Sequence, residues 1–197
     1  MKNIKLMLLL AAVVLMTTRV QAQENANATV ATSEKDQFLP SGKLTDFVFT
    51  DTLGQAVKIS DFKGKYVLVD LFFTGCGACI GVAEALRDMH DSLKNETMVF
   101  LSVSTDKSRS VWLQSVRENA IKSNANPWAG MYAARKGTVL LYTGGSGNEN
   151  DFCRKFVPNK FYPKLLLFDP NGKVLSEGIP RPDKKPLLFI DYIRKVM

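Results

Sequence analysis

Cysteine is scarce in this chain. Cys76, Cys79 and Cys153 are the only three among 197 residues. Small exported domains held by disulfides are dense in cysteine, so this chain is not such a scaffold. Histidine is scarcer still, with His90 alone. Long apolar runs are also lacking. Leu6 to Met16 stops at eleven residues, short of the ~20 a membrane-spanning helix needs. Basic clusters are missing too, although Lys and Arg total 26 against 19 acids. The lysines are scattered, which is a solvated basic surface and not a nucleic-acid footprint. No internal repeat is apparent.

The N-terminus has the composition of an export signal. Lys2 and Lys5 precede the apolar run, and Val20-Gln21-Ala22 offers small residues at the cleavage positions. Cleavage is expected after Ala22, leaving 175 residues. It removes Lys2, Lys5 and Arg19 and no acid, so the formal charge falls from +7 to +4. No cysteine stands near the signal end to carry a lipid. An uncleaved signal acting as an anchor is the alternative. Residues 23–39, polar and small, bury too little apolar area to order themselves and are expected to form a flexible tether. Residues 40–197 suit one domain. Asn27-Ala28-Thr29 and Asn95-Glu96-Thr97 are glycosylation sequons, which matter only in a eukaryotic secretory route. The signal reads as bacterial, which places the domain in the periplasm.

Cys76-Gly77-Ala78-Cys79 lies between an apolar run, Tyr66 to Phe73, and a helix-like stretch, Ala78 to Lys94. Residues i and i+3 of a helix share one face, within the roughly 4.4–6.8 Å Cα separation a disulfide requires. So small a ring cannot staple a fold, so the spacing points to redox chemistry. Cys76 falls where helix N–H groups and the positive helix end favour a thiolate. It is expected to attack, and Cys79 to resolve. A zinc site is the competing reading, with Cys76, Cys79, Cys153 and His90 as ligands. His90 lies fourteen residues beyond Cys76 on the same expected helix. That is about 21 Å along the axis, beyond metal reach, and His90 is expected at the surface. An inert pair is the remaining alternative.

The pattern along the domain is α/β. Leu44–Thr50 and Gln55–Ile59 flank a Gly-containing turn and read as a hairpin. Tyr66–Phe73 is apolar on both alternating faces, as in a central strand covered on both sides. The following helix carries Ile80, Ala83, Leu86 and Leu93 as its packing stripe. Met98–Ser104 is a buried strand and Ser110–Ile121 a helix. Ser123–Gly137 is a loop containing Pro127 and Trp128. Thr138–Tyr142 is a short strand and Glu149–Phe156 a short helix. Lys164–Phe168 and Lys173–Glu177 are strands joined by Asp169-Pro170-Asn171-Gly172. Lys184–Val196 is a terminal helix. These elements imply helices around a mixed sheet.

Val67-Leu68-Val69-Asp70-Leu71-Phe72-Phe73-Thr74-Gly75-Cys76-Gly77-Ala78-Cys79 resembles the active-site strand and helix start of thioredoxins. Phe161-Tyr162-Pro163-Lys164 through Gly172-Lys173-Val174 resembles their cis-proline strand and hairpin. Thr45-Asp46-Phe47 to Phe62-Lys63-Gly64-Lys65 is similar to the extra N-terminal hairpin of the exported TlpA/ResA-like branch. The resemblance covers residues 40–197 and weakens between 122 and 158, where a longer connection stands. It implies a thioredoxin-like fold: a central mixed sheet flanked by helices, with an added N-terminal β-hairpin. Pro163 matches the cis-proline. Tyr162 would offer its backbone to substrate, and Gly75, Gly77 and Ala78 would border the same surface.

Asp70 matches the buried acid of thioredoxins. A carboxylate in a doubly covered strand should have a raised pKa, and could take the proton of Cys79 as that thiol attacks a mixed disulfide. Gly75 stands where the family usually has Trp, and Ala78 where many members have Pro. These departures bear on substrate shielding and reduction potential. Lys164 replaces a small residue and adds positive charge near the thiols. Cys153 lies outside the motifs and is expected to be a buried, inert thiol.

The resemblance implies a cell-envelope thiol–disulfide oxidoreductase without metal or organic cofactor. Its partners would be disulfide-bearing or dithiol proteins of the envelope. As a reductase, the expected direction, it would draw on a membrane electron donor. A peroxiredoxin-like peroxidase is the enzymatic alternative, but that chemistry places Thr or Ser three residues before the reactive cysteine, where Phe73 stands. A redox-inert binding module, holding a partner through Tyr162 and the Trp128–Gly147 insertion, is the alternative from another class.

Overall fold

The run from Tyr66 to Phe72 forms the strand on which the sheet is built, β3, with all but its first residue buried. Burial on both faces is what its uninterrupted apolar pattern implies. The computed structural model describes residues 47–93, 97–134, 137–176 and 178–197. The expected leader, the tether, and Leu44 to Asp46 of the first expected strand lie outside these residues.

Among the described residues, seven strands make one sheet in the order β2-β1-β5-β4-β3-β6-β7. The short strands β1 (Val48–Thr50) and β2 (Ala56–Lys58) form the expected antiparallel hairpin. It joins the sheet through Thr50 opposite Tyr142. β3 lies parallel to β4 (Met98–Ser104), and β4 parallel to β5 (Val139–Tyr142). β6 (Lys164–Phe168) runs antiparallel to β3, and β7 (Val174–Ser176) closes the edge. In the turn between β6 and β7, the Asp169 carboxylate accepts from the N–H groups of Asn171 and Lys173. That is the Asx geometry the Asp-Pro-Asn-Gly sequence favours.

Helix α1 (Gly77–Leu93) follows β3, α2 (Arg109–Val116) follows β4, α3 (Asp151–Phe156) precedes β6, and α4 (Pro186–Val196) ends the chain. Leu68, Phe100, Leu165 and Leu167 of the sheet pack with Val82 and Leu93 of α1 and with Phe189 and Ile193 of α4. Asp70 alternates with Leu68 and Phe72, so it shares this α1-facing side of β3. A second cluster is aromatic. Phe152 and Phe156 of α3 meet Phe47, Phe49 and Phe168 edge-on.

Three expectations need correction. α1 buries Cys79, Val82, His90 and Leu93, and Ile80 and Leu86 of the expected stripe pack half-buried against the two core clusters. His90 is therefore interior, 1% exposed, with its ring 4.6 Å from that of Phe100 and Nδ1 3.2 Å from the Asp91 carboxylate. Its spacing from Cys79, Val82 and Leu86 continues the helical stripe, which is the physical reason it turns inward. α2 ends at Val116 and not at Ile121: Arg117 is already extended, Asn119 is left-handed, and Ile121 is 90% exposed. β3 ends at Phe72, and Phe73 turns outward.

Candidate active site

Four segments converge where β3 gives way to α1. Cys76 and Cys79 are joined in a disulfide with Cα atoms 5.3 Å apart. Cys79 is completely buried, whereas Cys76 keeps 7% of its surface exposed. The Cys79 N–H donates to the Cys76 carbonyl at 3.0 Å and lies 3.2 Å from Cys76 Sγ. The sulfur of Cys76 thus already faces a donor at the helix N-terminus, where negative charge is favoured.

The loop before Cys76 is held from two sides. Asp106, just beyond β4, accepts from the Thr74 N–H at 2.9 Å and the Thr74 hydroxyl at 2.8 Å. Ser104 donates to the same carboxylate at 2.8 Å. On the other side the Tyr132 hydroxyl accepts from the Gly75 N–H at 3.1 Å and donates to the Cys76 carbonyl at 3.0 Å. Its ring stacks on Phe72 with centroids 4.8 Å apart. Burial pushes the Tyr132 hydroxyl up to about 12, so it remains a neutral donor. Gly75 has φ +99°, a conformation that side chains disfavour. Trp128 fills the space beside it, its indole carbons 3.9–4.0 Å from where a Gly75 Cβ would lie. Arg181 donates to the Ala78 carbonyl at 3.3 Å and pairs with Asp183. Gly77 and Ala78 are exposed at the helix start.

Asp70 lies behind the disulfide. Its register partners are Ser102 on β4 and Leu165 on β6. Burial raises its pKa from 3.8 to about 7, and its Oδ1 has no hydrogen-bond partner among the described residues. It lines a cavity of about 30 Å³ together with Ala83, Leu86 and Arg87 of α1, Phe100 and Tyr132. Such a volume has room for a water molecule. Ala83 is four residues beyond Cys79, so the cavity opens one helical turn below that cysteine.

The Tyr162–Pro163 peptide is cis. Tyr162 is half-buried, its ring edge-on to Phe73 at 5.3 Å, and its hydroxyl donates to Asn148 Oδ1 at 2.6 Å. It packs against the cluster that contains both cysteines. Lys164 pairs with Leu71 at the end of β6. Cys153 is fully buried on α3, and burial pushes its thiol up to about 11. The Thr74 hydroxyl, the nearest candidate for a peroxidatic helper, is committed to Asp106.

The structure therefore brings together Asp70, Gly75, Cys76, Gly77, Ala78 and Cys79, with Tyr162 and Pro163 alongside. Sequence reasoning missed Asp106, Tyr132 and Arg181 as neighbours of the disulfide, and named Trp128 only as part of a loop and of the insertion offered as a partner-holding surface. Asp106 had a signal, since polar residues at the carboxyl end of a buried strand border ligand sites in α/β sheets. Tyr132 and Arg181 had none.

The fold and this redox pair define a thioredoxin-like thiol–disulfide oxidoreductase. The chain belongs to the AhpC/TSA family, whose model matches residues 40–177. It is 22% identical over 166 residues to the thiol-disulfide oxidoreductase ResA of Bacillus anthracis, a match spanning 83% of this chain and 82% of the relative. A solution structure of a putative thiol-disulfide oxidoreductase from Bacteroides vulgatus is 26% identical, with a TM-score of 0.54, over 76% of this chain and 87% of that one. The thioredoxin domain of another Bacteroides vulgatus thiol-disulfide oxidoreductase has a TM-score of 0.55 at 21% identity, over 76% and 91% of the two chains. The peroxidase alternative is not favoured by these relatives.

Proposed function

We propose that the protein is an exported reductase of the bacterial cell envelope that exchanges disulfides with partner proteins through Cys76 and Cys79. The observation that carries this reading is the asymmetric pair, with Cys76 at a helix N-terminus keeping 7% exposure and Cys79 fully buried, four residues before Ala83 of the Asp70 cavity. The signal-like composition of residues 1–22 and the likeness to the TlpA/ResA-like branch support the location. No helix among the described residues is long and apolar enough to cross a membrane.

In the reduced protein, the Cys76 thiolate attacks one sulfur of a partner disulfide. A Cys76–partner disulfide forms, and the other partner sulfur leaves as a thiolate that takes up a proton. Cys79 then loses its proton to Asp70 through the cavity and attacks Cys76 Sγ. The mixed disulfide breaks, and the second partner sulfur leaves as a thiolate that takes up a proton from solvent. Two electrons pass from the Cys76–Cys79 dithiol to the partner. An external dithiol donor, of the membrane by this reading, restores the pair by the same steps in reverse. The Tyr162 backbone and the Gly75–Ala78 surface hold the partner segment beside the sulfurs. An acid with a pKa near 7 can both accept and return the Cys79 proton at neutral pH.

The test is a redox titration of mature protein in graded glutathione buffers, read by alkylation and mass. A potential near the thioredoxin end, about −270 mV, fits a reductase. A potential near about −120 mV would reverse the direction, and no titration would sink the proposal. Cys79→Ser should trap a mixed disulfide on Cys76, and Cys76→Ser should trap none.

A further inference from the structure

Tyr132 and Trp128 come from the connection after α2, more than fifty residues from Cys76 in the chain, and both reach the redox pair. Each does something the local sequence cannot. Gly75 holds a backbone conformation that side chains disfavour and brings no side chain of its own to cover the disulfide, and Trp128 occupies the adjoining space. The Cys76 carbonyl accepts from two donors, the Cys79 N–H and the Tyr132 hydroxyl. The Cys79 N–H is also shared with Cys76 Sγ.

We propose that the Trp128–Tyr132 segment is part of the redox site, with Tyr132 a positioning residue that frees the Cys79 N–H for the Cys76 sulfur and Trp128 the shield over Gly75. When the disulfide opens, Cys76 Sγ becomes an anion and its hydrogen bond strengthens, because charge-assisted bonds are about twice as strong as neutral ones. The Cys79 N–H can then turn to the sulfur without orphaning the buried Cys76 carbonyl, because Tyr132 still satisfies it. Without the hydroxyl, carbonyl and thiolate compete for one donor, and an unsatisfied buried acceptor is costly. The same ring walls the Asp70 cavity, so Tyr132 contacts the surroundings of both sulfurs. This inference rests on the redox reading above.

Tyr132→Phe tests it, since the ring and its stacking on Phe72 are kept while both hydrogen bonds are lost. The reduced wild type and variant are alkylated with iodoacetamide across pH 5–9. The expected result is an acid limb for Cys76 moved up by about one pH unit, a tenfold slower reaction on the acid side. The glutathione equilibrium should move about tenfold towards the disulfide, because the reduced form is less stabilised, which is about 30 mV more reducing. Trp128→Ala supplies the second variant and should speed reduction of the disulfide by glutathione severalfold. A wild type that titrates, with a Tyr132→Phe profile and potential superimposable on it, overturns the role of Tyr132. An unchanged Trp128→Ala rate overturns the shield. A wild type with no redox transition defeats the underlying function instead, so the two failures are distinguishable.

Discussion

Replacing Asp70 with Asn should stabilise the oxidised protein at alkaline pH while impairing its chemistry. Burial raises the carboxyl from 3.8 to about 7, with no charged partner among the described residues to offset it. The folded protein therefore binds this proton more tightly than the unfolded chain does. The stabilisation from holding the proton is fully present below pH 4 and is lost as pH rises through about 7, because the unfolded state then carries fewer bound protons than the native one. A gap of about three pH units at 1.36 kcal/mol each gives a loss of about 4 kcal/mol. Asn cannot ionise, so the variant lacks this loss. The stability difference between variant and wild type should climb by about 4 kcal/mol between pH 4 and pH 8. Near pH 8 that corresponds to roughly 10 °C in melting temperature for a domain of this size. Urea unfolding of both oxidised proteins at five pH values measures it. Any constant penalty for burying an amide cancels in the pH dependence. A difference that stays within about 1 kcal/mol across the range would refute the reasoning, because it would mean that Asp70 titrates no differently in the folded protein. In the same samples, disulfide exchange by the Asn variant should be about a hundredfold slower at pH 7, the scale of a lost general base.

Asp106→Ala removes the acceptor for the Thr74 N–H, the Thr74 hydroxyl and Ser104. It should cost about 2–4 kcal/mol in urea unfolding, and a cost under about 0.5 kcal/mol would show that the clamp is idle. Gly75→Ala forces a side chain into φ +99°. It should cost about 1–2 kcal/mol, and a melt identical to wild type would disprove the strain. Native reduced protein treated with iodoacetamide at pH 8 should label Cys76 first and leave Cys153 unmodified, since the Cys153 thiol is buried with a pKa of about 11. Rapid mass addition at Cys153 would contradict its burial.

What was legible in the chain was local. The double-sided apolar pattern of Tyr66–Phe72 specified a covered strand, and the Asp-Pro-Asn-Gly turn specified the β6–β7 hairpin. The cysteine spacing set a redox pair at a helix start. Asp70 could be marked as buried and raised in pKa because its own strand supplied the argument. His90 was misplaced although its signal was present. A stripe through Cys79, Val82, Leu86 and Leu93 includes position 90, so spacing alone turns it inward. The end of α2 was not legible because Arg117–Ile121 has no strong breaker: Asn119 takes the left-handed turn that a glycine would have announced. Tyr132 and Arg181 were invisible for a different reason. Their partners are backbone atoms of Gly75, Cys76 and Ala78, and a backbone carbonyl leaves no trace in residue identity.

On the proposed mechanism, those long-range contacts make two chemically identical thiols differ. Position in the helix alone gives Cys76 the better donors and Cys79 the poorer exposure, but only weakly, since both lie in the same turn. The asymmetry is enlarged from outside the helix. Tyr132 holds the Cys76 carbonyl, and Arg181 holds that of Ala78. Both keep the first turn fixed while its sulfur gains charge, so little reorganisation is needed when the thiolate forms. On the opposite side, buried Asp70, whose Oδ1 has no partner among the described residues, makes the interior beneath α1 a poor place for a second negative charge. An ionised Asp70 would repel a Cys79 thiolate, so proton transfer between them keeps the total charge there at one. On the proposed mechanism, Cys76 therefore enters each cycle as the anion and Cys79 as the neutral thiol. That order follows from the surroundings of the motif and would be lost in a peptide carrying Cys76-Gly77-Ala78-Cys79 alone.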